Sequence, residues 1–242
     1  MVSNPINLGS SNKVLRVKGK GFTVIGISNI EISLLDKSIS VATSTNQDLS
    51  LNDATQSNLN KYGFSQSDFI SPFKVVPMNA GTTLQDASLD FCKSSYQSDA
   101  QRVSRRQVTV TAEKSDYLFL SSEVVRYRSQ QAAKDAEVEL LATIQSCQSL
   151  GGFYDNQSLI AYKFHQVNKE VWEQSPAAMS RPIMVSIGQG VQARTLLAWY
   201  HFNKDLLSGL YVVKNGDVPY SQSEVKRWQR VSEELFIRLT SQ

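Results

Sequence analysis

The chain has 242 residues, 25 basic and 22 acidic side chains for a net charge of +3, 41% hydrophobic content, two Cys and two His. That apolar share supplies a real core and excludes disorder along the whole chain, and the near balance of charge gives no reason to expect a nucleic-acid partner. The length fits one large domain, or one domain with an appendage.

The first 20 residues hold no basic stretch followed by an apolar core, so no export signal is readable there. No run approaches the roughly 18 apolar residues that a membrane helix needs. The best candidate, residues 22–35, is broken by Asn29 and Glu31. Read as it stands, the chain is cytoplasmic. If its Met-Val start replaces a signal or lipid-anchor segment, it is exported.

Residues 1–12 are polar and rich in Ser and Asn, as at a frayed end. Residues 13–41 carry β-branched runs separated by Gly, Asn and Asp-Lys, which predicts a small β-meander. Residues 43–60 are poor in apolar side chains and read as a linker. The expected organisation is therefore a β-rich extension and linker over 1–60 and a main domain over 61–242. Pro72 and Pro77 bound a short FKVV piece, and residues 82–91, TTLQDASLDF, predict a short helix leading to Cys92.

Residues 106–113 alternate as a strand, and residues 115–129, SDYLFLSSEVVRYRS, give a longer one. Lys114-Ser115-Asp116 is the turn between them, so the pair predicts a hairpin. An amphipathic helix follows from Gln130 to about Cys147, with Ala133, Ala136, Leu140, Leu141, Ile144 and Cys147 on one face. Ser129 is its expected N-cap, and Gly151 and Gly152 close it. Residues 158–167 predict another strand. PIMVSIGQG, ARTLLAWYHF and LLSGLYVV predict three more, the last broken by Asn215-Gly216-Asp217. A final helix over 221–240 lines up Val225, Trp228, Val231, Leu235, Phe236 and Leu239, and Ser221 with Glu224 has capping-box spacing. The predicted class is α+β: an antiparallel sheet with two amphipathic helices on one face, preceded by the small N-terminal meander.

Within the second hairpin strand, Leu118, Leu120 and Val124 point one way. Tyr117, Phe119, Ser121, Glu123, Val125 and Tyr127 point the other. With both helices on the Leu/Val side, the opposite face carries three aromatics and a carboxylate. That face is a binding surface unless the meander or residues 153–181 cover it.

Catalytic signatures are missing. His165 and His201 stand in no HExxH or CxxC pattern, so neither a zinc site nor any other cofactor is expected. His201 lies among Trp199, Tyr200 and Phe202 and reads as a packed histidine. There is no GxSxG elbow, and the GxG fragments at 19–21 and 188–190 lack a third glycine. Asp135, Glu137 and Glu139 fall on the polar side of the first helix. Arg102, Arg105 and Arg106 read as a solvated basic loop, with a phosphate or anionic-lipid contact as the alternative. Asn156-Gln157-Ser158 is a glycosylation sequon that matters only in a eukaryotic secretory setting. Cys92 and Cys147 are either two buried small hydrophobes or a disulfide. A disulfide would close a loop of about 55 residues, worth roughly 4 kcal/mol in chain-entropy terms.

The stretch FLSSEVVRYRSQQAAKDAEVELLATIQSC, in which Tyr127, Ser129 and Ala133 lead a strand into a helix ending at a Cys, resembles a pattern of actinobacterial envelope proteins. The terminal block, ARTLLAWYHF, SGLYVV and EVKRWQRVSEELFIRL, resembles the same family. It is the extracellular sensor-like domain of a mycobacterial receptor Ser/Thr kinase, found also in stand-alone lipoproteins. The resemblance covers about residues 84–242. It implies an α+β domain with an antiparallel sheet, a disulfide and a cleft for an unidentified ligand, without catalysis. Members often carry more cysteines than the pair present here, and the missing signal or lipobox is a second departure from the pattern.

The leading expectation is a non-enzymatic, extracytoplasmic ligand-binding or sensor domain of the cell envelope. Its partner would be a small molecule or an envelope component, held by Tyr117, Phe119, Glu123, Tyr127 and Trp199. The alternative is a structural or protein-interaction subunit that assembles through its N-terminal strands. An enzyme built from scattered carboxylates has no residue pattern to support it.

Overall fold

The computed structural model describes residues 59–89, 91–112, 116–155, 158–168 and 182–241, together with the strand backbone at Ile6–Asn7 and Val14–Leu15. The chain divides into two compact units, Met1–Thr43 and Ser44–Gln242. In the first, β1 (Ile6–Asn7) pairs antiparallel with β2 (Val14–Leu15). Val14–Leu15 falls in the expected meander, Ile6–Asn7 in the stretch read as a frayed end, and the rest of the meander lies outside the described residues.

The second unit holds β3 (Lys74–Pro77), β4 (Arg102–Thr111), β5 (Phe119–Tyr127), α1 (Gln130–Leu150), β6 (Gly152–Asp155), β7 (Ser158–His165), β8 (Ile183–Ile187), β9 (Arg194–Asn203), β10 (Leu206–Asn215) and α2 (Gln222–Thr240). Eight of its described strands form one antiparallel sheet in the order β3-β4-β5-β10-β9-β8-β7-β6. The α+β class and the antiparallel sheet agree with the sequence.

The expected placement of both helices on one face does not. Successive side chains on a strand point to opposite faces. On β9, Tyr200 packs edge-on against Phe91, whose neighbour Cys92 is bonded to Cys147 of α1. The next residue, His201, bonds Ser232 of α2. One helix therefore lies on each side of the sheet. The central strands are buried on both faces, and β5 has only Arg126 short of full burial. Polar and apolar alternation on β5 thus separates two covered faces, not core from solvent.

Both helices start where their caps predict. The Ser129 hydroxyl accepts from the Ala132 amide, and Gly151 ends α1 at φ 69°. Ala132, Ala133 and Ala136 are buried and let the helix lie close to the sheet. Leu141, expected on that buried face, points outward at 55% exposure. In α2, Ser221 and Glu224 form the reciprocal capping box. Val225, Trp228 and Leu235 pack with Leu197, Trp199 and Leu210 into the main core cluster. No helix among the described residues is long and apolar enough to cross a membrane.

The short helix expected over 82–91 is absent: its described residues form turns and bends. The carbonyls of Leu84 and Asp86 accept from the Arg102 guanidinium, a partner that no local pattern announces.

Candidate functional site

The expected ligand residues fall on two sides of the sheet. Phe119, Glu123 and Tyr127 lie on the α1 side, buried beneath that helix and the segment 78–101. Trp199 is 1% exposed in the core under α2. Tyr117 precedes β5, so strand alternation does not govern it. It is half-buried and packs edge-on against Trp228, ring centres 5.1 Å apart. The Arg227 guanidinium donates to its hydroxyl and lies 5.8 Å from its ring centre. The structure thus joins Phe119, Glu123 and Tyr127 in one layer, sets Tyr117 and Trp199 in another, and leaves no open aromatic face on β5.

In place of that face is a buried polar layer. Hairpin register sets Gln107 opposite Glu123, and β10 sets Gly209 against Glu123 on its other side. Arg105 Nε donates to Glu123 Oε1, and Tyr211 Oη donates to Glu123 Oε2 at 2.8 Å. Arg105 also reaches Gln107 Oε1 at 2.6 Å and the Ala80 carbonyl at 3.1 Å. Burial alone would lower the Arg105 pKa, but the charge and hydrogen bond of Glu123 hold it above its ordinary value. Burial, with the Glu123 charge added to it, pushes the Tyr211 hydroxyl far above the usual tyrosine range. Tyr127 is raised for the same two reasons, and its buried hydroxyl has no hydrogen-bond partner among the described residues.

Arg102 extends this layer. Its Nε bonds the Asp99 carbonyl at 3.1 Å and lies equally close to Asp99 Oδ1. Burial raises the Asp99 pKa despite the opposing attraction of Arg102. Arg102 and Arg105 are each 5% exposed, and Arg106 is half-buried with its pKa lowered by burial. The reading of this cluster as a solvated loop is therefore corrected: these arginines belong to β4, where Arg102 and Arg105 fasten the segment above it and Arg106 reaches the Phe64 carbonyl.

That segment is fixed elsewhere too. Cys92 and Cys147 form a disulfide across 55 residues of chain. Glu139 on α1 accepts from the amides of Gln97 and Ser98 and from the Ser98 hydroxyl. Lys93 pairs with Asp155 at 2.9 Å. Leu89 and Phe91 are buried beneath it.

A second polar cluster lies on the α2 side. His165 Nε2 is 2.7 Å from Ser186 Oγ and 3.6 Å from Asp217 Oδ1. A Ser, a His and an Asp together invite comparison with a nucleophile and its base, but the ring geometry differs from that arrangement. Thr195 gives its single hydroxyl proton to the Gly216 carbonyl at 2.7 Å. Ser186 lies 3.0 Å from Thr195 Oγ1 and can donate to it. A Ser186 proton given to Thr195 makes His165 Nε2 the donor of its bond to Ser186. Asp217 also meets the same ring nitrogen as Ser186, whereas a triad acid holds the opposite one. This chain of bonds ties β7, β8 and β9 to the turn before α2. Burial and the nearby Lys163 charge lower the His165 pKa, with Asp217 opposing them. Among the described residues no group of three or more His, Cys, Asp or Glu could hold a metal ion.

The fold and these layers define an α+β domain with an antiparallel sheet between two helices and a disulfide-fastened segment over one face. No protein-family model matches the chain, and no curated protein matches it. Among solved structures it is similar to the extracellular domain of PknH from Mycobacterium tuberculosis, with a TM-score of 0.41 and 8% identity. The match covers 59% of this chain and 66% of that one, just under two thirds of the neighbour's length.

Proposed function

We propose that the chain is a non-enzymatic recognition domain working outside the cytoplasm, at the cell envelope. The observation that carries this reading is the Cys92–Cys147 disulfide, which takes up both cysteines of the chain. Structural disulfides persist in oxidising compartments and are rare where thiol reductants act. The bridge joins α1 to a segment with little regular structure, where a covalent restraint limits the freedom of a long loop. Asp217 and Ser186 meeting the same nitrogen of His165 supports the non-catalytic side of the reading. On the α2 side, Tyr117 keeps part of its surface under the Arg227 guanidinium and offers a ligand an aromatic edge beside a cation.

The test is the intact mass of the protein isolated from its own cells, alkylated before and after reduction. Reduction should be needed before the two cysteines take up label. Two thiols that label without reduction would overturn the extracytoplasmic assignment.

A further inference from the structure

Residues 82–87 cross above the buried polar layer like a strap. Both ends are fixed. On one side the Gln107 amide donates to the Gly81 carbonyl at 2.8 Å, and a Cβ at Gly81 would lie 2.5 Å from the Gln107 carbonyl. On the other side Ser88, Leu89 and Phe91 are buried, and Cys92 is bonded to α1. Between these anchors Thr82, Leu84, Gln85 and Ala87 are exposed, while Thr83 and Asp86 are half-buried. So little apolar burial marks a segment able to open without the rest of the domain.

Arg102 holds the strap's centre from below. Its two terminal nitrogens donate to the Leu84 and Asp86 carbonyls, each at 2.7 Å, and one of them also reaches the Ser88 hydroxyl at 2.7 Å. Among the described residues the guanidinium fork thus meets neutral oxygens, while Nε alone faces a carboxylate. Local charge decides what else would fit there. With the strap lifted, Arg102 and Arg105 are balanced by Asp99 and Glu123, so a phosphate gains little net attraction. Carbonyl oxygens of a bent loop satisfy the fork without adding charge, which is how the strap itself binds.

We propose that residues 82–87 are a peptide bound in cis, and that the site they cover takes a peptide of another protein along the same bent course. Main-chain carbonyls of that peptide would replace those of Leu84 and Asp86 at Arg102. Main-chain bonding of this kind gives affinity with broad sequence tolerance. The strap lowers apparent affinity in proportion to the fraction of time it is closed. This deepens the recognition reading and rests on it for its purpose, while its geometry stands on Arg102 and the strap.

The probe is a fluorescent peptide with the sequence of residues 81–89, GTTLQDASL, added to the full chain. It is compared with a full chain whose residues 82–87 are replaced by a Gly/Ser run of equal length. The replaced chain should bind at least about tenfold tighter than the native one, and Arg102→Lys in that chain should lose the gain. A replaced chain that keeps its disulfide, unfolds cooperatively and binds no tighter overturns the proposal. Should that chain fail to fold, hydrogen exchange on the native chain decides. Amides of 82–87 that exchange at least about tenfold faster than those of β5 and β10 support the strap, and exchange only with the core overturns it. An oxidised, folded replaced chain that ignores the peptide sinks the strap and leaves the recognition reading standing. Free thiols in the native protein sink that reading whatever the peptide does.

Discussion

Tyr211 leans back over Gly209 to place its hydroxyl 2.8 Å from Glu123 Oε2. The two partners are not directly opposite: Gly209 faces Glu123, and Tyr211 faces Ser121. The reach is possible because Gly209 has no side chain, since a Cβ there would fall 2.5 Å from the Tyr211 hydroxyl. Gly209→Ala is therefore expected to push the ring aside and destabilise the domain by about 1–3 kcal/mol. Tyr211→Phe should lose about 1.5–3 kcal/mol by removing one bond to a charged group. Urea denaturation of both variants checks this, and a neutral Gly209→Ala would show that the ring has room to move.

The Arg105–Glu123 pair is nearly dry, with side chains 6% and 2% exposed. Attraction in such a place is offset by the desolvation of both ions, so the pair adds little to stability as a pair. Breaking it is different, because one charge is left buried alone. Glu123→Leu should destabilise by about 3–5 kcal/mol, and Glu123→Leu with Arg105→Met should recover most of the loss. A double variant no better than the single one would mean that the remaining contacts of Arg105, to Gln107 and Ala80, matter more than its charge.

Local chemistry made much of this fold legible. Ser129, Ser221 and Glu224 announce their helices because a cap is satisfied within three residues of itself. The hairpin of β4 and β5 follows from two alternating runs around one turn. Helix placement was not legible, because α1 and α2 each need a buried face and neither pattern names which face of the sheet supplies it. Arg102 and Arg105 read as solvated because their partners are far off in sequence: Glu123 lies 18 residues from Arg105, and Asp86 lies 16 from Arg102. One signal was available. A turn centred on Ser115 sets Gln107 opposite Glu123, which puts Arg105 one alternation away on the same face. Tyr117 could not be placed by alternation, since the strand begins only at Phe119.

His201 is 2% exposed, with Nε2 bonded at Ser232 and a buried Nδ1 that has no partner among the described residues. Burial pushes its pKa down to about 4, with the bond at Ser232 opposing. In the unfolded chain a histidine titrates near 6.5. Between those values the unfolded state binds the proton more readily, so stability is full above about pH 6.5 and falls as the pH drops toward 4. The loss is roughly 3 kcal/mol at about 1.4 kcal/mol per pH unit. Urea midpoints from pH 7.5 to 4 should show this slope, and His201→Gln should flatten it. An unchanged slope in that variant would assign the acid sensitivity to other groups, His165 first among them, since its pKa is lowered by burial and Lys163.

The disulfide is the covalent restraint on the segment over the α1 face, spanning 55 residues. The chain-entropy estimate for such a loop is roughly 4 kcal/mol, and strain or residual order in the unfolded chain reduces it. The paired change Cys92→Ser and Cys147→Ser should therefore destabilise by about 2–4 kcal/mol, and reducing the native protein should do the same. Hydrogen exchange should quicken most in residues 88–101, because Phe91 packs on Tyr200 only while its neighbour is tethered to α1. The sheet should stay folded, since the register of β5, β10 and β9 does not pass through the bridge. A full-length loss of protection on reduction would instead show that the tethered segment is part of the cooperative core. Unchanged stability would mean that Arg102 and Glu139 already restrain the segment as far as the bridge does.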